Sequence, residues 1–181
     1  MKEKFFLASY NSPLGAYTLV SSRRGMVCIS SEKEIENNIA KWEKQGILIQ
    51  QGNGYNDIAA AELDDYFKAK LRQFTVKLDL RGTSFQCTVW KALCHIPYGK
   101  TRSYQQVALD IGRPNSARPT GQAIGHNPIA IIVPCHRVIG TDGSLTGYGG
   151  GLNKKITLLK LEGRKLQENN IASRIKVLPS L

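Results

Sequence analysis

At 181 residues the chain has room for one domain of ordinary size or two small ones, each able to bury a core. With 41% hydrophobic and 22% charged residues it has a soluble, globular composition, and no apolar run approaches the length of a membrane span. The net charge of +11 is uneven: residues 1–83 carry 12 Lys+Arg against 10 Asp+Glu, residues 84–165 carry 11 against 3, and residues 166–181 carry 2 against 1. An excess confined to one region points to a polyanionic partner there, nucleic acid before others, with a basic solubilising surface as the alternative.

The first half reads as a hairpin followed by helices. Phe5-Phe6-Leu7-Ala8-Ser9-Tyr10 and Ala16-Tyr17-Thr18-Leu19-Val20 are β-rich runs separated by the turn formers of Asn11-Ser12-Pro13-Leu14-Gly15. Met26-Val27-Cys28-Ile29 follows as a third strand. Residues 31–45 are charged and periodic, with Ile35, Ile39 and Trp42 on one face of a helix that Gly46 can end. Asp57 is placed to cap the next helix, expected to bury Ile58, Ala61, Tyr66 and Phe67. Residues 74–80 alternate like an edge or one-faced strand. Nothing in this half suggests chemistry; Trp42 and the tyrosines are read as core.

Arg81-Gly82 reads as a short linker, giving domains over residues 1–82 and 83–165 and a tail over 166–181. Thr83 with Gln86 forms a capping box opening a helix to about His95, whose buried stripe is Phe85, Val89, Leu93 and Ile96. Pro97-Tyr98-Gly99-Lys100 breaks it. Ser103 with Gln106 forms a second box, with Val107, Ala108 and Ile111 inward and Gly112 closing. After the turn at Arg113-Pro114-Asn115-Ser116, Ser116 can cap a third helix to about His126. Pro119 falls in its first turn, where an amide has no intrahelical acceptor. Two short helices joined tightly, with small residues Ala117, Gly121, Ala123 and Gly125 on the second, suggest a helix-turn-helix able to approach a groove. Ordinary tight packing would also suit those small residues.

Chemistry concentrates in Ile129-Ala130-Ile131-Ile132-Val133-Pro134-Cys135-His136-Arg137-Val138-Ile139-Gly140. The apolar run reads as a buried strand that Pro134 must stop, exposing Cys135 between proline and two basic side chains. A thiol next to positive charge is driven toward thiolate, the nucleophilic form, although free cysteines more commonly pack as small hydrophobes. The other cysteines read as structural. Cys87 and Cys94 are seven residues apart, about 10 Å along a helix, where a disulfide needs about 7 Å or less. No Cys-x-x-Cys pair occurs and all three histidines lie beyond residue 94, so a zinc site in the first half is not expected; no metal and no cofactor are called for in the chain. Residues 1–8 offer too short an apolar core for a signal peptide, so a reducing cytosol or nucleus is expected: nucleoid-associated in a prokaryote, nuclear in a eukaryote.

Residues 85–163 closely resemble the O6-alkylguanine-DNA alkyltransferases. The resemblance rests on Ser103-Tyr104-Gln105-Gln106, Asn127-Pro128, Pro134-Cys135-His136-Arg137-Val138-Ile139-Gly140, Gly147-Tyr148 and Leu161-Glu162-Gly163, in the family's order and spacing. Ser12-Pro13-Leu14-Gly15 and Leu78-Asp79-Leu80-Arg81-Gly82 resemble its more variable N-terminal domain. The resemblance implies an α/β N-terminal domain, a small ribonuclease-H-like sheet plus helices, followed by a mainly α C-terminal domain with a helix-turn-helix.

It further implies single-turnover, self-inactivating repair of double-stranded alkylated DNA. Cys135 would take the alkyl group from O6 of guanine, and from O4 of thymine, as a permanent thioether. His136 would deprotonate Cys135 through a water, Glu162 would orient the imidazole, and Tyr104 would give a proton to the departing guanine ring nitrogen. The lesion must leave the stack to meet a protein thiol. Arg118 matches the arginine finger that fills the vacated space. Tyr148 would close over the flipped base with Val138 and Gly149 near it, on a loop rich in glycine. Asn127 would tie the recognition helix to the active-site strand, and Arg137, Ser103, Gln105, Ala117, Thr120 and Gly121 are the remaining DNA-contact candidates. A monomer is expected, with cooperation along DNA left open.

Two departures stand out. Pro119 follows Arg118 where the family usually has alanine, and Ala130 stands where some members have a proline that narrows the alkyl pocket, so groups bulkier than methyl are expected to fit. A lesion sensor without catalysis is disfavoured by Cys135, an alkylation-sensing regulator by the lack of room for a sensor domain, and a cysteine hydrolase by the lack of an oxyanion loop. The tail matches nothing, with helix and disorder both open.

Overall fold

The computed structural model describes residues 2–169 and 174–178. Two compact units emerge: residues 1–81 with 128–130, and residues 82–127 with 131–181. The part of the tail expectation that falls on residues 170–173 and 179–181 lies outside the described residues.

The first unit is built on a four-stranded sheet of order β3-β2-β1-β4, with β1 Lys4–Ser12, β2 Gly15–Ser21, β3 Met26–Ser31 and β4 Leu48–Gln51. β1 and β2 pair antiparallel around Pro13-Leu14. The Ser12 hydroxyl accepts from the Leu14 amide at 3.0 Å, and Gly15 takes the positive φ of 115° that other residues resist. β2 and β3 are also antiparallel, whereas β4 runs parallel to β1, which requires a crossover. Helix α1, Glu32–Lys44, supplies it. Ile35, Ile39 and Trp42 lie along one side of α1 and pack on a core of Phe5, Leu7, Val20, Val27, Cys28 and Ile47. Trp42 meets Phe5 edge-on at 5.1 Å. β4 was not foreseen, its Leu-Ile-Gln-Gln being too short and polar to stand out.

Helix α2, Asn56–Phe67, begins one residue before the expected cap, so Asp57 sits in its first turn and not at its head. The reason is Asn56, fully buried, whose side-chain amide donates to the carbonyls of Phe6 at 2.9 Å and Gly52 at 3.3 Å. That anchor turns Asn56, Ala59, Leu63 and Tyr66 inward and leaves Ile58 48% exposed. Residues 74–80 form no strand either. They bond to the sheet at Met26, whose amide donates to Lys77 O at 2.8 Å and whose carbonyl accepts from Asp79 N at 2.7 Å. A Cβ on Gly25 would lie 2.5 Å from Lys77 O, so this approach needs glycine. Beyond it Asp79 turns in to Ser22, Arg24 and Arg81, ending any ladder.

The second unit is mainly helical. Both capping boxes form: Thr83 caps α3, Ser84–Cys94, and Ser103 caps α4, Tyr104–Asp110, each with reciprocal bonds to the glutamine three residues on. Trp90, buried in α3, donates its indole N–H to Ala123 O at 2.8 Å and so fastens α5, Ala117–Gly125. Helices α4 and α5 pack together across a short turn in the expected helix-turn-helix, with Pro119 third in α5. Two-residue strands β5, Arg102–Ser103, and β6, Val138–Ile139, pair in parallel. Helix α6 spans Leu152–Leu161. The tail forms a hairpin of β7, Leu166–Asn169, and β8, Arg174–Val177.

Candidate active site around Cys135

Residues 129–133 are buried as their apolarity demands, except that Ala130 is half-buried, but they form turns and not a strand. Ile131 adopts φ of 76°, a strained value for a β-branched residue. Pro134, at φ −82° and ψ 62°, is the centre of an inverse γ-turn closed by Cys135 N donating to Val133 O at 2.8 Å. Residues 135–137 then form one 3₁₀ turn running into β6. Proline therefore stops regular structure as expected, yet does not expose the thiol: Cys135 is 8% accessible.

That burial reverses the expected electrostatics. Desolvation pushes the Cys135 thiol up, and a hydrogen bond from Asn127 and the charge of Lys155 only partly offset it. Asn127, just past the end of α5, donates its side-chain amide to Val133 O at 2.8 Å and to Cys135 Sγ at 3.1 Å. His136 and Arg137 do not serve the thiol as flanking charges, because both turn to Glu162.

Glu162 sits at the C-terminal cap of α6, buried with His136 and Arg137. Its Oε1 lies 2.8 Å from His136 Nε2, and Arg137 donates from Nε to both carboxylate oxygens at 3.1 and 3.0 Å and from Nη2 at 2.9 Å. The Gly99 amide adds a bond to Oε2 at 3.1 Å, and Gly99 must be glycine, having φ of 70° and room for no Cβ beside Glu162 O, 2.8 Å away. Burial alone would raise the Glu162 carboxyl, but these hydrogen bonds and charges outweigh it and hold it at about 2. Burial pushes His136 down despite the Glu162 hydrogen bond, since Arg137 already balances the carboxylate and a second cation would be unmatched. The resting state is a neutral imidazole against an Arg137–Glu162 ion pair.

Arg137, expected as a DNA contact, is 5% exposed, with its guanidinium committed to Glu162 and the Ile96 carbonyl; it is a support for the carboxylate. Thr120 is likewise corrected, being fully buried on the inner face of α5. Ser103 is buried and spends its hydroxyl on the Gln106 amide. Gln105 is half-buried and donates to Pro114 O at 2.6 Å. Arg118 is exposed near the start of α5, with Ala117 half-buried beside it. Gly121 lies under Tyr104: a Cβ there would stand 3.3 Å from the ring.

Tyr104 follows β5 directly, so the β5–β6 pair sets it beside the segment that leaves Cys135. Its hydroxyl lies 3.5 Å from Thr146 O and accepts from the Thr146 hydroxyl at 3.3 Å. Val138 is fully buried and offers its carbonyl inward, while Tyr148 is half-buried and Gly149 exposed on the glycine-rich loop. Ala130 belongs to the segment that packs in the first unit.

Sequence reasoning missed Lys155. It is fully buried in α6, donating from Nζ to Val138 O at 2.6 Å and Thr146 O at 2.8 Å. Desolvation lowers it to about 8, opposed by Cys135. A signal was present: Lys155, Leu159 and Glu162 recur at helical spacing, placing a lysine on the apolar face that also carries Glu162.

The model of the 6-O-methylguanine DNA methyltransferase DNA-binding domain matches residues 84–164, and that of the ribonuclease-like domain matches residues 6–80. A methylated-DNA–protein-cysteine methyltransferase of Mycolicibacterium paratuberculosis is 60% identical over 152 residues, 82% of this chain and 92% of its own length. One of Mycobacterium bovis is 64% identical over 104 residues, 58% of this chain; the match spans 63% of that relative's length. The crystal structure of Mycobacterium tuberculosis OGT in complex with DNA superposes with a TM-score of 0.74 at 45% identity, covering 88% of this chain and 92% of that one. With both domain models matched in order along the chain, and the cysteine turn set against the glutamate of α6, the protein belongs to the 6-O-methylguanine DNA methyltransferase family.

Proposed function

We propose that the protein repairs alkylated double-stranded DNA by moving the alkyl group from O6 of guanine, and from O4 of thymine, onto Cys135. The observation that carries this is the Cys135 turn itself, with Asn127 on the sulfur at 3.1 Å and the next residue, His136, on Glu162 at 2.8 Å. It is the nucleophile, base and orienter set of thiol chemistry.

The chemistry follows from the resting charges. A buried, protonated thiol needs a base, and a neutral His136 whose Nε2–H is given to Glu162 takes the proton at Nδ1 through a bridging water. The imidazolium so formed keeps its hydrogen bond to the ionised Glu162, which it shares with Arg137, and it faces the thiolate it has created. Asn127 and the Lys155 charge favour the thiolate so formed. Sulfur attacks the alkyl carbon, the carbon–O6 bond breaks, and its electrons pass into the guanine ring. Tyr104 supplies a proton to a ring nitrogen and recovers one from solvent, so the thiol's proton is in effect exchanged for the alkyl group. The thioether has no hydrolytic route, and each molecule acts once.

The target base must be turned out of the duplex, at a few kcal/mol. Arg118, exposed near the start of α5, fills the space left in the stack, and Tyr148 covers the flipped base. The basic excess of residues 84–165 supplies the phosphate contacts that bind a monomer to DNA, in the cytoplasm of a prokaryote or the nucleus of a eukaryote. Incubation with duplex DNA carrying O6-methylguanine is expected to leave one methyl on Cys135 by peptide mass. No transfer, or transfer to Cys87 or Cys94, would defeat the proposal. Cys135→Ser should abolish transfer while keeping salt-dependent DNA binding.

A further inference from the structure

The chain beyond Glu162 supplies none of the groups assigned to the chemistry above, yet it is bonded to the loop that reaches Tyr104. Strand β8 pairs on one side with β7 and on the other with residues 143–145: Leu145 N donates to Ile175 O at 2.9 Å, Val177 N donates to Gly143 O at 3.0 Å, and Ser144 stands opposite Lys176. Lys176 Nζ lies 3.5 Å from Asp142. Beneath this small sheet Val177 is buried with Ile139 and Leu159, and Leu145 and Leu166 pack against them. The core therefore joins the tail hairpin, the strand leaving Cys135 and the helix bearing Glu162.

The next residue after this sheet is Thr146, whose carbonyl receives Lys155 Nζ at 2.8 Å and whose hydroxyl meets the Tyr104 hydroxyl at 3.3 Å. With glycine at 140, 143, 147, 149, 150 and 151, the loop has a large conformational entropy to overcome before Thr146 can hold either group. Its own turn supplies part of the restraint: Asp142 accepts from Ser144 N at 3.0 Å and Ser144 Oγ at 2.6 Å, and Gly140 N donates to Ser144 O at 2.8 Å. The two β8 bonds, the Val177 contact and the Lys176–Asp142 pair add to it.

We propose that the C-terminal hairpin is a positioning element for alkyl transfer: it takes residues 143–145 as a third strand and so fixes the loop after Cys135, with Thr146 holding Tyr104 and Lys155 in place. This rests on the alkyl-transfer function above. The hairpin acts on the chemical step and not on DNA affinity, because the bonds of its described residues go to the loop after Cys135 and not to the helix-turn-helix.

The test uses two substitutions in the full-length protein, Val177→Pro, which removes the N–H given to Gly143, and Val177→Ala, which trims packing but keeps that N–H, and beside them a chain ending at Lys165. Duplex DNA with O6-methylguanine serves as substrate. The proline variant and the shortened chain are expected to exchange the amides of residues 143–148 faster and to lose about tenfold or more in single-turnover transfer at saturating DNA, as a displaced catalytic group should. DNA affinity, set by phosphate contacts, should stay within about twofold. Val177→Ala should keep most of the rate. The proposal is overturned if loop exchange is unchanged in the shortened chain, if the loop loosens with no loss of rate, or if alanine and proline cost the same. Should the shortened chain fail to fold, the alanine–proline pair decides alone. Failure of the underlying function is a separate result: the unaltered protein would then place no methyl on Cys135.

Discussion

Asn127 gives one side-chain amide to two acceptors, the Val133 carbonyl at 2.8 Å and the Cys135 sulfur at 3.1 Å, and so fixes the turn and the nucleophile together. Asn127→Ala removes a donor that favours the charged sulfur. The thiolate pKa should rise further, and transfer near neutral pH should fall by about tenfold to a hundredfold, the worth of a hydrogen bond to a charged group. The rate–pH profile of methyl transfer checks this: the variant's profile should lie at higher pH than that of the unaltered protein.

Glu162→Gln breaks a buried ion pair and leaves Arg137 uncompensated. The expected loss is about 3 to 5 kcal/mol, read as a drop in urea midpoint, with transfer lost as well. Arg137→Met, which removes the cation instead, should be no milder, because the buried Glu162 carboxylate would then lose the guanidinium that balances its charge.

Stability should fall with acid in two stages. His136 has a lowered folded pKa, so below its unfolded value of 6.5 the unfolded chain takes up a proton that the fold refuses, and stability drops as pH falls. Glu162, held at about 2, contributes stability that is complete above its unfolded value of 4.5 and is lost as pH falls from there through about 2. Denaturation curves between pH 7 and 5 should therefore flatten in His136→Asn while keeping the steeper loss below 4.5. An unchanged slope above pH 5 in that variant would reject the neutral-histidine assignment.

Gly121→Ala separates folding from chemistry at the α5 face. Alanine favours a helix by about 1 kcal/mol over glycine, but its Cβ would press on the Tyr104 ring from 3.3 Å. The half-buried ring can yield by a few tenths of an ångström, so the melting temperature should hold or rise slightly. Transfer should slow by about tenfold, because the phenol is displaced.

What the sequence conveyed best was local. The two capping boxes, the α1 stripe of Ile35, Ile39 and Trp42, and the Pro119 position all follow from rules acting within a few residues, and all are present. Misreadings arose where distant groups decide. An apolar run looks the same in a buried strand and a buried turn, so residues 129–133 could not announce the left-handed Ile131. Asn56 shifts α2 through a bond to Phe6, fifty residues away, and Asp79 ends a strand through Ser22 and Arg24. Arg137 looked like a cation for DNA because the buried carboxylate it serves comes from a helix 25 residues on. The neighbours of Cys135 suggested an exposed thiol, whereas its burial depends on contacts such as that of Asn127 and on the turn at Pro134, which no short stretch of sequence displays.

A thiol that is out of solvent and held protonated is a poor target for peroxide and for small electrophiles adrift in the cell, which react with exposed thiolates. Under the proposed single-use chemistry that inertness conserves the molecule: Cys135 would stay unspent until a base is delivered to it, and every accidental encounter avoided would be a lesion that can still be removed.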